Sequence, residues 1–243
     1  EQLPKGEKPG SVGSDQPLGP PVAFGRWFPN LVQEQHCDAE EMLTCLLNVA
    51  SEQGCSVHGS VHGSALHDLF VGKQCSKTQC RNCCKWGEEQ TESFLKLELP
   101  LTASVDESLK AFLATEPLTG DHQYDCTPCN AKRDAEKHSS LSTLPCVLVL
   151  QLRRFALHTK DVRHVSFPQE LPLNDHRYSL RVVVVHEGST PTSGHYYAFA
   201  RTDDVLDSAE GSWHCFSDEK VRPCKWAEVE KEKAYLLFYE RLP

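Results

Sequence analysis

Cys146-Val147-Leu148-Val149-Leu150 is the stretch that decides the fold class. It is a nearly continuous apolar run, too short to read as a helix of its own, and such runs suit strands covered on both faces. Val182-Val183-Val184-Val185 and Ala234-Tyr235-Leu236-Leu237-Phe238-Tyr239 repeat the pattern. Phe94-Leu95-Lys96-Leu97-Glu98-Leu99 instead alternates, which predicts one strand with a buried and a wet face. Upstream, Ala39, Met42, Leu43, Leu46, Leu47 and Ala50 recur at helical spacing. Asp38 is the expected N-cap there, with Glu41 three residues on and Gly54 as the stop. Residues 106–115 read as a second helix, with Leu109, Phe112 and Leu113 on one side. Helices first and a mainly antiparallel sheet afterwards make an α+β fold.

The 243 residues allow one large domain or two small ones. Residues 1–24, rich in Gly and Pro, are expected to be a flexible segment ahead of a domain spanning 25–243. Glu1 stands where an initiating Met would, which reads as the start of a fragment. The net charge of −9 argues against nucleic acid or an anionic membrane as the main partner. No run of 18 apolar residues exists, so no membrane span is expected. Ser56-Val57-His58-Gly59 followed by Ser60-Val61-His62-Gly63 is too short for a repeat fold and reads as a solvated loop.

Twelve cysteines, two pairs of them spaced Cys-x-x-Cys and no visible secretion signal, favour a reducing compartment and metal ligation over a disulfide framework. Cys80 with Cys83 and Cys126 with Cys129 form the pairs. Each Cys-x-x-Cys turn aims two thiolates at one point, and two turns complete a tetrahedron around zinc. The 42 residues between the pairs mean that the knuckles meet through tertiary structure. Asn82, Pro128 and Asn130 supply turn chemistry. Buried free thiols and disulfides are the competing readings. Four thiolates leave no open position, so such a zinc would be structural. Cys75 and Cys84 are not expected to be ligands.

Ser193-Gly194-His195-Tyr196-Tyr197 and Trp213-His214-Cys215-Phe216-Ser217-Asp218 read as two strands around an acidic loop. Pairing Arg201 with Ser212 in an antiparallel hairpin sets Asp218 opposite His195, with Ser217 one residue away. That brings together a general base and an orienting group. A satisfied, non-catalytic histidine is the bland alternative.

Cys80-x-x-Cys83, Tyr124-x-Cys126-x-x-Cys129, Leu152-Arg153-Arg154-Phe155, Phe167-Pro168, Gly194-His195-Tyr196 and Tyr235-Leu236-Leu237-Phe238-Tyr239 together resemble the ubiquitin-specific protease family. Asp38-Ala39-Glu40-Glu41-Met42-Leu43 is similar to that family's Gln-Asp-Ala-His-Glu-Phe box, with Glu40 where His is usual. The resemblance implies a papain-like cysteine protease fold of thumb, palm and fingers, with zinc-ribbon-like fingers over about 72–135. It implies His195 as base, Asp218 as orienting residue with Ser217 in the position usually held by Asp or Asn, and Cys80, Cys83, Cys126 and Cys129 around structural zinc. It implies ubiquitin and ubiquitinated proteins as partners, a monomer, and work in the cytoplasm or nucleus.

The family's nucleophile lies in a box resembling Gly-Asn-Thr-Cys-Tyr-x-Asn, and no stretch here matches it. Cys37 lacks the flanking Gly and Asn, Cys45 falls within a helix, and Cys55 sits in the Ser-Val-His-Gly loop. Three readings stand. The first is a deubiquitinase whose cysteine box lies outside this segment. The second is a ubiquitin-binding pseudoprotease that cannot cut. The third is a zinc-stapled scaffold unrelated to ubiquitin.

Overall fold

The computed structural model describes residues 38–52, 65–156, 159–190, 193–202 and 212–243. The Gly/Pro-rich segment 1–24, the two Ser-Val-His-Gly units, Cys37, Gly54 and Cys55 lie outside them.

Helix α1 spans Ala39–Glu52. Its first turn is closed by Asp38, whose Oδ1 accepts from the Glu40 amide at 2.7 Å. The apolar stripe is only partly used: Leu47 is buried, whereas Leu46 remains 42% exposed. A short helix, α2 (Ala65–Asp68), follows. The second predicted helix, α3, runs Val105–Phe112 and so starts and ends earlier than the apolar spacing suggested. Ser104 sets the start, its Oγ accepting from the Glu107 amide at 3.2 Å while Glu107 reaches back to the Ala103 amide.

The strands build two main sheets. The first contains β1 (Gly72–Cys80), β2 (Gln90–Phe94), β4 (Glu116–Leu118) and β7 (Ala135–Thr143), in the order β2-β1-β7-β4. Beside it, β5 (Tyr124–Cys126) and β6 (Ala131–Arg133) pair as a hairpin. The larger sheet joins β3 (Leu97–Leu99), β8 (Val147–Leu152), β12 (His176–Thr190), β13 (Ser193–Thr202), β14 (Ser212–Ser217), β15 (Lys220–Cys224) and β16 (Ala234–Arg241). Its order is β15-β14-β13-β12-β16-β8-β3, with β11 (Glu170–Leu173) on the flank of β12. All pairings are antiparallel except β3 on β8. A two-stranded hairpin of β9 (Phe155–Ala156) and β10 (Thr159–Lys160) stands apart, and α4 (Trp226–Val229) precedes β16.

The stretch 94–99 is not one strand. Phe94 ends β2 in the smaller sheet and Leu97 begins β3 in the larger one. Alternation survives on both sides of the crossing, so the pattern cannot reveal it. The deciding runs lie in strands paired on both sides within the larger sheet: Leu148, Val149 and Leu150 are fully buried, as are Leu236, Leu237 and Tyr239. In β12 the apolar run is less evenly covered, Val183 and Val185 being buried and Val182 and Val184 half-buried. The buried tyrosines keep their polar ends satisfied: Tyr178 donates to the Pro145 carbonyl at 2.7 Å and Tyr239 to the Pro168 carbonyl at 2.8 Å. This core fixes β12, and β12 fixes β13, the strand that carries His195.

Candidate active site and metal centre

His195 lies on β13 opposite Glu187 of β12. On the other side, β13 pairs with β14 from Thr202–Ser212 to Ala198–Phe216. The register is therefore shifted by one residue from the expected Arg201–Ser212 pairing, and the ladder stops before it reaches His195. Asp218 does not face His195 as a strand partner. It sits in the turn into β15 with φ of 51°, a left-handed conformation that Asp tolerates. The side chains still converge, because Ser217 is within diagonal reach of His195 across the sheet face. His195 Nε2 is 2.8 Å from Ser217 Oγ and 3.9 Å from Asp218 Oδ2. The hydroxyl makes the hydrogen bond; the carboxylate, 80% exposed, stands at ion-pair distance only. The ring stacks over Tyr197, with centroids 6.4 Å apart and planes 21° apart, and Tyr197 donates to Glu232 at 2.9 Å.

Gly194 has a packing reason. A Cβ there would lie 2.2 Å from the Glu187 carbonyl oxygen and 2.3 Å from His186 Nε2. Gly194→Ala is expected to push β13 off β12 beside His195 and to cost about 1–3 kcal/mol, read as a lower melting temperature.

On the opposite face of β13, Tyr196 packs on His186 at 4.6 Å, and His186 meets Phe155 edge-on at 5.3 Å. Burial and the nearby Lys160 ammonium hold His186 below the ordinary histidine value, which keeps it neutral. Tyr235 donates to Asp38 at 2.8 Å and accepts from Gln151, which in turn accepts from Lys96 at 2.5 Å. Lys96 also pairs with Glu40 at 2.7 Å. Burial pushes the Glu40 carboxyl up, but the Lys96 ammonium and the Thr44 hydroxyl outweigh it, and the group lies below the usual carboxylate range. Glu40 thus occupies the unusual position in its box as one half of an ion pair. Lys96 gave no sequence signal beyond being a wet position in a predicted strand.

The four cysteines of the Cys-x-x-Cys pairs meet at the end of the smaller sheet, with all Sγ atoms within 4.8 Å of one another. Cys80 ends β1 and Cys83 sits in the turn after it; Cys126 ends β5 and Cys129 closes the turn after that. Asn130 caps this turn in the left-handed conformation, φ 47°. Sγ separations of 4.0 Å (Cys80–Cys129) and 3.6 Å (Cys83–Cys126) are far from a disulfide's roughly 2.05 Å. They match the spacing of about 3.8 Å that four bonds of about 2.3 Å to a tetrahedral ion impose. Backbone amides of Cys83 and Asn82 bring the Cys80 thiol down to about 7, and the Asn82 side chain, 3.4 Å from Cys129 Sγ, lowers that thiol too, whereas burial pushes the Cys126 thiol up to about 12, so the spacing of the sulfurs rather than their acidity marks the site. The cluster can therefore hold a metal ion. Cys75 lies elsewhere, 3.2 Å from the Thr91 hydroxyl, and Cys84 is exposed.

The family model described as ubiquitin carboxyl-terminal hydrolase matches residues 21–239. This chain belongs to that family. The α+β, papain-like fold expected from the resemblance is the one observed. A mouse member, ubiquitin carboxyl-terminal hydrolase 17-like protein D, is 32% identical over 225 residues, which cover 85% of this chain and 40% of the relative. Ubiquitin carboxyl-terminal hydrolase 26 of Arabidopsis thaliana is 36% identical over 215 residues, covering 78% of this chain and 20% of the relative. Among solved structures, the SAGA DUB module of Ubp8, Sgf11, Sus1 and Sgf73 bound to monoubiquitin superposes with a TM-score of 0.80 at 29% identity. That superposition covers 90% of this chain and 52% of the matched one. The chain thus spans between 20% and 52% of the length of these matched proteins.

Chemically, the His195 cluster can accept and return a proton. Nε2 is engaged by Ser217, and Nδ1 has no hydrogen-bond partner among the described residues. No described cysteine sulfur comes within hydrogen-bond distance of the ring. Cys45, the one described member of the three thiols weighed as nucleophiles, lies half-buried inside α1.

Proposed function

We propose that this chain supplies the base-bearing part of a thiol-dependent deubiquitinase. A cysteine thiolate from outside residues 1–243 attacks the carbonyl carbon of the isopeptide bond after ubiquitin's C-terminal glycine. His195 protonates the departing lysine amine, leaving a thioester. His195 then takes a proton from the water that hydrolyses it. The observation that carries this reading is the Ser217-held imidazole on a family scaffold, with one ring nitrogen left for the reacting groups. Ser217 orients the ring and Asp218, farther out, contributes charge. Cys80, Cys83, Cys126 and Cys129 hold a structural zinc ion at the end of the smaller sheet. The ten described cysteines are all unpaired, which suits the reducing conditions of cytoplasm or nucleus. Ubiquitin is the proposed partner, bound by a monomer.

A second reading is favoured by the weak grip on the ring. A hydroxyl at 2.8 Å and an exposed carboxylate at 3.9 Å hold an imidazolium less well than a buried carboxylate does, which suits a protein that binds ubiquitin without cutting it. Titration with ubiquitin, and with ubiquitin carrying an electrophilic C-terminus, tests what the two readings share, ubiquitin binding and a nucleophile that does not lie in this segment. Residues 1–243 are expected to bind both reversibly and to capture neither. Covalent capture by this segment would overturn the assignment of an outside nucleophile, and absence of binding would overturn the ubiquitin reading.

A further inference from the structure

In a chain of net charge −9, positive charge gathers where β8 hands over to the β9–β10 hairpin. A cleft of about 450 Å³ is lined there by Leu101, Arg153, Arg154, Thr159, Asp161 and Arg163, among others. Arg154 is the anomaly. It is 1% exposed, and no carboxylate oxygen hydrogen-bonds it among the described residues. Its Nε donates to the Ala234 carbonyl at 2.5 Å, and Nη1 donates to the carbonyls of Asp161 and Arg163. Nη2 is buried without a hydrogen-bond partner. A buried guanidinium held only by carbonyls is costly, and an unmet donor adds to the cost. Burial brings Arg154 down to about 10, which still leaves it charged at neutral pH.

Among the described residues lining the cleft, the one carboxylate is already engaged. Asp161 accepts from Arg163 Nε and Nη2 at 2.9 and 2.6 Å. Three guanidinium groups against one carboxylate leave a surplus of two positive charges. Lys160 adds to the field: its Nζ donates to the carbonyls of His186 and Gly188, at 2.5 and 2.8 Å, with the Glu187 carboxylate acting on it from farther off. Burial, Arg154 and Lys233 push its pKa down, and Glu187 only partly offsets them.

We propose that this cleft is a binding site for a phosphate group. A phosphate carries about −1.5 to −2 charges at pH 7, which matches the surplus, and its oxygens take guanidinium donors from several directions. The group has two possible sources with the same chemistry: a diffusible phosphate or phosphorylated ligand, or the chain itself through phosphorylation of Thr159, whose side chain is exposed at the rim. In the second case a kinase transfers the terminal phosphoryl group of ATP to the Thr159 hydroxyl, releasing ADP and a proton. Either way the anion fixes the β9–β10 hairpin, whose Lys160 is tied to the carbonyls that flank Glu187, the partner of His195 across the strands.

The test is phosphorus NMR titration of residues 1–243 with inorganic phosphate at constant ionic strength set by chloride. Saturable binding is expected, weakened by about tenfold or more in the Arg153→Gln, Arg163→Gln double variant. Both arginines are exposed, and the variant's melting temperature in phosphate-free buffer checks that it is folded. A chain made with phosphothreonine at position 159 tells the sources apart. A raised melting temperature with loss of binding to added phosphate assigns the group to Thr159, whereas retained binding assigns it to a diffusible ligand. Binding that is indifferent to the double variant would overturn the proposal. So would the absence of both saturable binding and any stabilisation by phosphothreonine.

Discussion

If the proposed function holds, replacing His195 with alanine is expected to lower kcat/KM for isopeptide hydrolysis by at least about 10³-fold in a protein in which this chain is combined with a thiol nucleophile. Ubiquitin affinity should stay within about threefold, because a base acts on the transition state and not on ground-state binding. The ring orienters predict a graded series. Ser217→Ala removes the 2.8 Å hydrogen bond and should cost more turnover than Asp218→Asn, which removes a charge at 3.9 Å from a largely exposed position. An unchanged rate for His195→Ala would show that the proton passes elsewhere. A larger loss for Asp218→Asn than for Ser217→Ala would show that the turn into β15 closes on His195 when substrate is bound.

Removing the metal from the four-cysteine cluster is expected to have the larger structural effect. Cys126 is 1% exposed and its sulfur stands among the other three. Cys126→Ser should reduce zinc from about one per chain to a small fraction, since a structural zinc site needs its four ligands. Structural zinc in small peptides is worth about 10–16 kcal/mol at pH 7, so losing it exceeds what the short strands around the knuckles can replace. Hydrogen exchange after chelation should show lost protection over about residues 72–135, while β8, β12 and β16 stay protected. Uniform deprotection would mean that the two sheets unfold as one unit. Unchanged exchange with full zinc loss would mean that the metal does not hold the knuckles.

How far the sequence could be read depended on where each signal lives. The central strands were legible because burial on both faces leaves a contiguous record, as in Leu148-Val149-Leu150 and Leu236-Leu237. The knuckles were legible because ligand spacing and turn residues are local, even though Cys83 and Cys126 are 43 positions apart. The hairpin carrying His195 was legible in kind but not in register. One residue separates Arg201–Ser212 from the observed Arg201–Trp213, and alternating polar and aromatic residues on both strands do not decide between them. The break between Phe94 and Leu97 was hidden because alternation is the same in either sheet. The Glu40–Lys96–Gln151–Tyr235–Asp38 network and the buried Arg154 were not legible, since each depends on partners brought from distant segments. The Gly-His-Tyr motif marked His195, but which oxygen would hold its ring depended on the turn geometry at Asp218.

Ubiquitin carrying a photoactivatable group at its C-terminal residue, cross-linked to residues 1–243 and mapped by mass spectrometry, tests most directly whether the His195 cluster receives the ubiquitin tail. Cross-links concentrated in the peptide that holds Gly194, His195 and Tyr196, and competed away by free ubiquitin, are the predicted result. Cross-links confined to the cysteine knuckles, or spread without competition, would contradict the account.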